Sequence, residues 1–196
     1  MNQITQTGAV QLSHLCNIPK LTKLKVRDNQ FGELGSQFIA TTYAMRNLTH
    51  LNISRNDIGD KGVLFLTEAS YMSNLVQLHL DDNNLGPAAA QYLSMSKYIT
   101  KLKILSLNNN KISSDGFHSL ITSDNFDSLK KLMVVYNEIS ENGMMSLTAS
   151  KFFSNLEYFD IQENEIGNVG AQMISCCIMK NLRFMNLKHN KIGDNG

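Results

Sequence analysis

A step of 27 residues runs through this chain and restricts what it can become more than any other feature. Seven segments align on it: LTKLKVRDNQFGELG from Leu21, LTHLNISRNDIGDKG from Leu48, LVQLHLDDNNLGPAA from Leu75, LKILSLNNNKISSDG from Leu102, LKKLMVVYNEISENG from Leu129, LEYFDIQENEIGNVG from Leu156 and LRFMNLKHNKIGDNG from Leu182. Their asparagines, Asn29, Asn56, Asn83, Asn110, Asn137, Asn164 and Asn190, are spaced by 27 residues five times and then by 26. Repetition at such a period implies a row of supersecondary units, each too small to bury its own apolar face and so obliged to stack on its neighbours.

Each unit has a physical reading. The apolar triplet Leu48, Leu51 and Ile53 ends in a period of two, which predicts a short strand with one face buried. Beyond the asparagine come another apolar residue, Ile58, and glycines such as Gly59 and Gly62, which allow a sharp turn and close packing. Apolar residues at helical spacing follow, among them Leu64, Leu66 and Ala69, so a helix is expected after each strand. Pro87 falls where a helix begins, the position that tolerates a missing N–H.

Strands joined by helical crossovers run parallel, and 27 residues leave ample chain for the return. Helices are wider than the strand spacing of about 4.8 Å, so the stack bends with the sheet inside, as a horseshoe. The asparagine amides are expected to be buried, pairing with backbone groups orphaned where the chain leaves the strand. The pattern LxxLxLxxNxIGxxG with a helical return resembles the ribonuclease-inhibitor-like class of leucine-rich repeats. That resemblance implies an α/β solenoid over residues 1–196, one domain of about seven units with a partial unit at each end. Members of the class usually bind proteins through the sheet and loop rims, some by plugging an enzyme's active site and some as activators of small GTPases. Departures are few: Ser113 and Ser140 replace the first turn glycine, Ala89 the second, and Phe159 and Met185 a leucine. All are volume-tolerant.

Composition removes several alternatives. A net charge of +1 gives no field that would draw the chain to nucleic acid or an anionic membrane. Apolar runs such as Val63–Leu66 are far shorter than the roughly 20 residues of a membrane span, and MNQITQTGAV does not read as a leader. Cys16, Cys176 and Cys177 are odd in number, without metal-ligand spacing, and fit small apolar positions in a reducing cytoplasm. Delivery of a bacterial protein into a host cytoplasm is compatible with the same features. Asn2, Gln3, Ile4 and Gly8 align with Asn29, Gln30, Phe31 and Gly35, so the chain opens inside a unit, and Gly196 closes inside another. The expectation is a stretch of a longer solenoid, or a short one whose ends a partner covers.

Function in such an architecture resides in the strand positions that face outward. Four columns cross the sheet, beginning at Lys23, Lys25, Arg27 and Asp28 and repeating in each unit. The first two units carry a basic patch of Lys23, Lys25, Arg27 and Arg55, and the third is acidic at Asp81 and Asp82. The last three gather Met133, Val135, Tyr136, Tyr158 and Phe184, with Asp160, Glu163, Asn186, Lys188 and His189 between them. An exposed apolar and aromatic set is the expected anchor for a protein partner, with the rim of an enzyme's active site as one such partner. The alternative for Tyr158 and Phe184, one strand apart, is that they stack on each other and stiffen the sheet. His79, Asp81 and Asp82 match no metal-ligand motif, no cofactor is implied, and no nucleophile lies near a base, so catalysis has no support in the sequence. Two functional classes stay open: a module that occludes a partner's surface, or one that regulates a small GTPase or other signalling protein through the rim loops. A structural fragment supporting a larger repeat protein is a third.

Overall fold

The computed structural model describes residues 4–12, 18 and 20–196. Asn2, Gln3 and Cys16 lie outside the described residues. A first helix, α1 (Gln6–Leu12), precedes seven three-residue strands: β1 (Lys23–Lys25), β2 (His50–Asn52), β3 (Gln77–His79), β4 (Ile104–Ser106), β5 (Lys131–Met133), β6 (Tyr158–Asp160) and β7 (Phe184–Asn186). Among the described residues they form one open sheet in chain order, every neighbour parallel. The register follows the sequence step, Lys23 opposite His50 and so on to Tyr158 opposite Phe184. Between strands the chain returns through α2 (Gly32–Thr41), α3 (Gly59–Glu68), α4 (Pro87–Met95), α5 (Ser113–Ile121), α6 (Glu141–Met144) and α7 (Gly167–Ser175). The result is a solenoid with strands on the concave side and helices on the convex side.

The core lies between these two layers. In units two to six the triplets, such as Leu75, Leu78 and Leu80, are fully buried, each side chain contributing about 1.5–3 kcal/mol. In the first and last units Leu21, Leu24, Leu182, Met185 and Leu187 are only partly buried, because they have a neighbour on one side. Gly116 shows why a small residue recurs in the helices: a Cβ there would stand 3.0 Å from Pro87 Cα and 3.1 Å from Ala90 Cβ. Helices α4 and α5 meet at that point, and Ala89 takes the equivalent place in α4 fully buried.

Six of the seven repeated asparagines are buried, and Asn29, in the first complete unit, is partly exposed. Asn110 illustrates the arrangement. Its Nδ2 donates to the carbonyls of Leu80 (3.1 Å), Leu107 (2.8 Å) and Asn108 (3.1 Å), and its Oδ1 accepts from the N–H groups of Asn83 (2.9 Å) and Leu85 (3.0 Å). One side chain therefore satisfies the turn of its own unit and of the unit before it, as expected for backbone that leaves a strand without a ladder partner.

Two details depart from uniform repetition. The return after β5 is a four-residue helix, α6, followed by 3-10 turns at Leu147–Ala149 and Phe152–Asn155. Ser146, Thr148 and Ser150 interrupt the helical pattern with side chains that compete for the backbone, and the space is filled by Phe126, Phe152, Phe153 and Phe159, packed ring against ring at 5.0–6.2 Å. The two turn serines, read as equivalent volume changes, also behave differently. Ser113 retains the left-handed backbone of Gly32, Gly59 and Gly167 at φ +59°, whereas Ser140 is extended at φ −96°.

Candidate functional site

The residues just past each strand fix the geometry of the concave face. One residue before every repeated asparagine the backbone is left-handed, at Asp28, Arg55, Asp82, Asn109, Tyr136, Glu163 and His189, with φ between +52° and +59°. Asp28, Asp82, Asn109 and His189 are types that enter this region readily, whereas Arg55, Tyr136 and Glu163 are held there by the ladder on either side. The turn carries these side chains onto the rim, while the strand residues stand on the face itself.

Over β5 to β7 the face is apolar and aromatic. Tyr158 and Phe184 stack with centroids 4.2 Å apart and planes 8° from parallel, and Lys131 Nζ stands 5.7 Å from the Tyr158 centroid. Cross-strand stacking of this pair is therefore present, and Phe184 still keeps 42% of its surface open. Tyr158 OH donates to Asp160 Oδ2 at 3.4 Å, and burial, then the Asp160 charge, push its phenol pKa up. Met133 and Val135 are half-buried beside the stack. Tyr136, on the rim, is 61% exposed.

The polar members form their own chain. Asn186 Nδ2 donates to Gln162 Oε1 (2.7 Å), Asn186 Oδ1 accepts from the Lys188 N–H (3.2 Å), and Glu163 faces His189 at 3.8 Å. Of the ten residues expected to form the site, Met133, Tyr158, Asp160, Phe184 and Asn186 lie on adjacent strands. Val135 and Lys188 lie just past them, and Tyr136, Glu163 and His189 form the rim. Lys131 and Gln162 were not among the ten, yet both touch members of the set. Their column positions were legible, but a cation above a ring and an amide bridging two units are cross-unit contacts that one unit's pattern does not display.

The first four units differ from their sequence reading. Arg55 spans Asp28 (3.4 Å) and Asp82 (3.3 Å), and Arg27 reaches Asp28 (3.4 Å), so the expected basic patch is partly neutralised along the rim. Asp81, read as exposed acid, is buried: it accepts from the hydroxyls of Ser54 and Ser106 and from the Asn108 N–H (2.9 Å). Burial lowers the pKa of His79, Lys25 and Arg27 lower it further, and Asp81 opposes them.

Among the described residues no three His, Cys, Asp or Glu side chains gather as metal ligands. Cys176 and Cys177 are free thiols at the end of α7, and burial, then Cys176, raise the Cys177 pKa, the reverse of an activated thiolate. No described helix is long and apolar enough to cross a membrane.

No curated protein matches the sequence. Among solved structures the chain is similar in fold to an internalin from Listeria monocytogenes, with a TM-score of 0.68 and 22% identity over 94% of this chain. The match covers 46% of that internalin, so the chain spans less than half its length. A family model described as leucine rich repeat matches residues 44–66, 71–94, 98–119, 154–175 and 179–196, more than half of the chain. With seven in-register parallel strands and a shared asparagine ladder behind that match, the chain belongs to the leucine-rich-repeat family.

Proposed function

We propose that this chain is a non-enzymatic binding module that holds a protein partner on its concave face, with units five to seven as the energetic centre. Leucine-rich-repeat domains are in general protein–protein interaction modules, and the observation that supports this assignment within the chain is the open aromatic set. Tyr136 and Phe184 are 61% and 42% exposed beside half-buried Met133, Val135 and Tyr158. An aromatic side chain has about 150–250 Å² to bury, and the part these three rings still expose is about a third of the roughly 800 Å² that one partner contributes to a standard interface. The Tyr158–Phe184 stack is held before binding, which reduces the side-chain ordering required on association.

The partner proposed is an enzyme whose active-site rim enters the concavity and is thereby closed to substrate. The 27-residue units with α-helical returns support membership of the ribonuclease-inhibitor-like class. Free Cys176 and Cys177 support a reducing cytoplasm as the setting. Regulation of a small GTPase through the rim is the second reading, favoured by the outward placement of Tyr136 and Glu163 just past the strands.

The test is affinity capture from cytosol with the wild-type chain beside a Tyr136→Ala, Tyr158→Ala, Phe184→Ala triple variant. The partner is what the variant fails to retain. Tyr136→Ala and Tyr158→Ala should each then weaken affinity by about 2 kcal/mol, the size expected at a hot spot. Folding should be nearly unchanged in Tyr136→Ala and weakened by about 0.5–1.5 kcal/mol in Tyr158→Ala, which loses the stack on Phe184. An enzyme partner should lose turnover in the complex. Full affinity in the tyrosine variants, with affinity lost in Lys23→Ala, Lys25→Ala and Arg27→Ala, would place the site in the first units instead.

A further inference from the structure

We propose that the rim where the strands begin is a second binding surface, made for an extended acidic protein segment of about nine residues. Three positions in each unit flank the start of the strand, those of Lys101, Lys103 and Ile104 in the fourth. Across seven units they carry seven lysines and arginines against one carboxylate, Glu157. The rim at the other end of the strands reverses this: the positions either side of the repeated asparagine hold six carboxylates and three lysines or arginines. In a chain of net charge +1, about half of the charged residues thus lie in two parallel stripes of opposite sign.

The basic stripe lacks counter-ions. Lys130 reaches Glu157 at 3.8 Å, and it is the one cation of this rim with a carboxylate partner among the described residues. Lys101 Nζ meets only the Asn74 amide oxygen at 3.4 Å, Lys131 stands over the Tyr158 ring, and Lys103 is exposed. Elsewhere Lys61, Lys151, Lys191, Arg27 and Arg55 are paired with an acid, five of the eleven lysines and arginines off this rim against one of seven on it. A solvated charged face explains exposure, but not this segregation.

Shape adds a second observation. An open trough of about 580 Å³ runs along the rim between Lys20 and Lys101, floored by Thr22, Thr49 and Val76. The backbone beneath it is already paired, Thr49 N–H to Thr22 O at 2.9 Å and Val76 N–H to Thr49 O at 2.8 Å, so the trough offers charge and side-chain contact rather than a free strand edge. Strands lie about 4.8 Å apart, so the trough's two lysines belong to units about 14 Å apart and the whole rim extends about 29 Å. At about 3.3 Å per residue an extended segment covers the trough with four or five residues and the rim with about nine.

The same geometry disfavours a nucleic acid. Five residue steps, Ile104 to Asn109, separate the nearest positions of the two rims, at most about 16 Å, so a broad polyanion on the basic stripe also meets the acidic one. The trough floor, threonine and valine, provides no aromatic platform for bases, and the two rings at the rim's far end, Tyr158 and Phe184, are already stacked on each other.

The rim meets the aromatic site at Lys131, Tyr158 and Phe184, so the experiment is read at Lys101 and Lys103, which lie in the fourth unit away from it. Fluorescence anisotropy of a labelled nine-residue peptide of alternating Glu and Ser is measured against the full chain at low and at physiological salt. Saturable binding that weakens with salt is expected. Lys101→Ala and Lys103→Ala should each reduce it about two- to fivefold, the range of exposed ion pairs. Lys111→Ala with Lys191→Ala on the opposite rim, and Tyr136→Ala, should leave it unchanged. The proposal is overturned by absence of binding at low salt, by an equal loss in the Lys111 and Lys191 variant, or by tighter binding of oligouridylate or phosphatidylserine vesicles than of the peptide.

Discussion

Replacing Ser113 by glycine should stabilise the solenoid and replacing Ser140 by glycine should weaken it, although the two serines hold the same place in neighbouring units. Ser113 sits at φ +59°, where an L-residue with a Cβ is disfavoured by about 1–2 kcal/mol. Glycine removes that penalty but adds freedom to the unfolded chain, a loss of about 0.4–1 kcal/mol, leaving a net gain of about 0.5–1 kcal/mol. Ser140 is extended, at φ −96° and ψ −179°, so glycine relieves nothing there. It also deletes the 2.8 Å hydroxyl contact with Ser114, about 0.5–1.5 kcal/mol, for a total loss of about 1–2 kcal/mol. Urea midpoints followed by circular dichroism report both signs, and a melting shift of about 2–4 °C per kcal/mol is expected for a domain of this size. Repeat arrays do not always unfold in one step, so amide exchange over Asn110–Phe117 should register the Ser113 change locally. A lower midpoint for Ser113→Gly, or shifts of the same sign in both variants, would refute the reasoning.

Asn110→Ala leaves two buried N–H donors and several carbonyls without their partner and should cost about 3 kcal/mol or more, against about 1 kcal/mol for Asn29→Ala in the partly exposed first unit; equilibrium unfolding of both variants checks the ratio. His79 has a folded pKa below its ordinary 6.5, so the unfolded chain binds a proton more readily and stability should fall as pH drops below about 6.5. Unfolding midpoints at pH 7 and pH 5 should therefore differ less in His79→Gln than in wild type. Hydrogen exchange should be fastest in residues 188–196 and slowest in units three to five, since Leu182, Met185 and Leu187 have support on one side only. Uniform protection along the chain would contradict nearest-neighbour stabilisation.

The strands, their register and the asparagine ladder were legible because each depends on a pattern within one unit and a constant step between units. The side chains of the face were less so. Ser54, Asp81 and Ser106 occupy outward columns, yet they fold against each other across units 25 to 27 residues apart and become buried. A column assignment gives the direction of a Cβ, not where a short polar side chain finds its partner. The pairing of Arg55 within the basic patch is hidden for the same reason, because Asp28 and Asp82 are its neighbours in space at one unit's distance on either side. Stacking of Tyr158 on Phe184 could be foreseen from two rings directly opposed on parallel strands. The rim position of Tyr136 could not, since a tyrosine carries no local signal for a left-handed turn.

Between Asn164 and Asn190 one residue is missing from the period, yet β6 and β7 remain paired in register, and Asn190 still donates to Ile161 O at 2.9 Å. The shortfall is taken up in the return between Gly167 and Leu182. The solenoid thus behaves as a ruler with graduations on one edge only: the strand edge is fixed in pitch, and the helical edge has slack. A dye or affinity tag grafted into a return arc should leave every graduation in place. A single residue inserted between a strand and its asparagine would shift that unit by one mark against both neighbours. An engineer who wished to lengthen the molecule would add whole periods of 27, each joining the next through the bonds that Asn110 makes now.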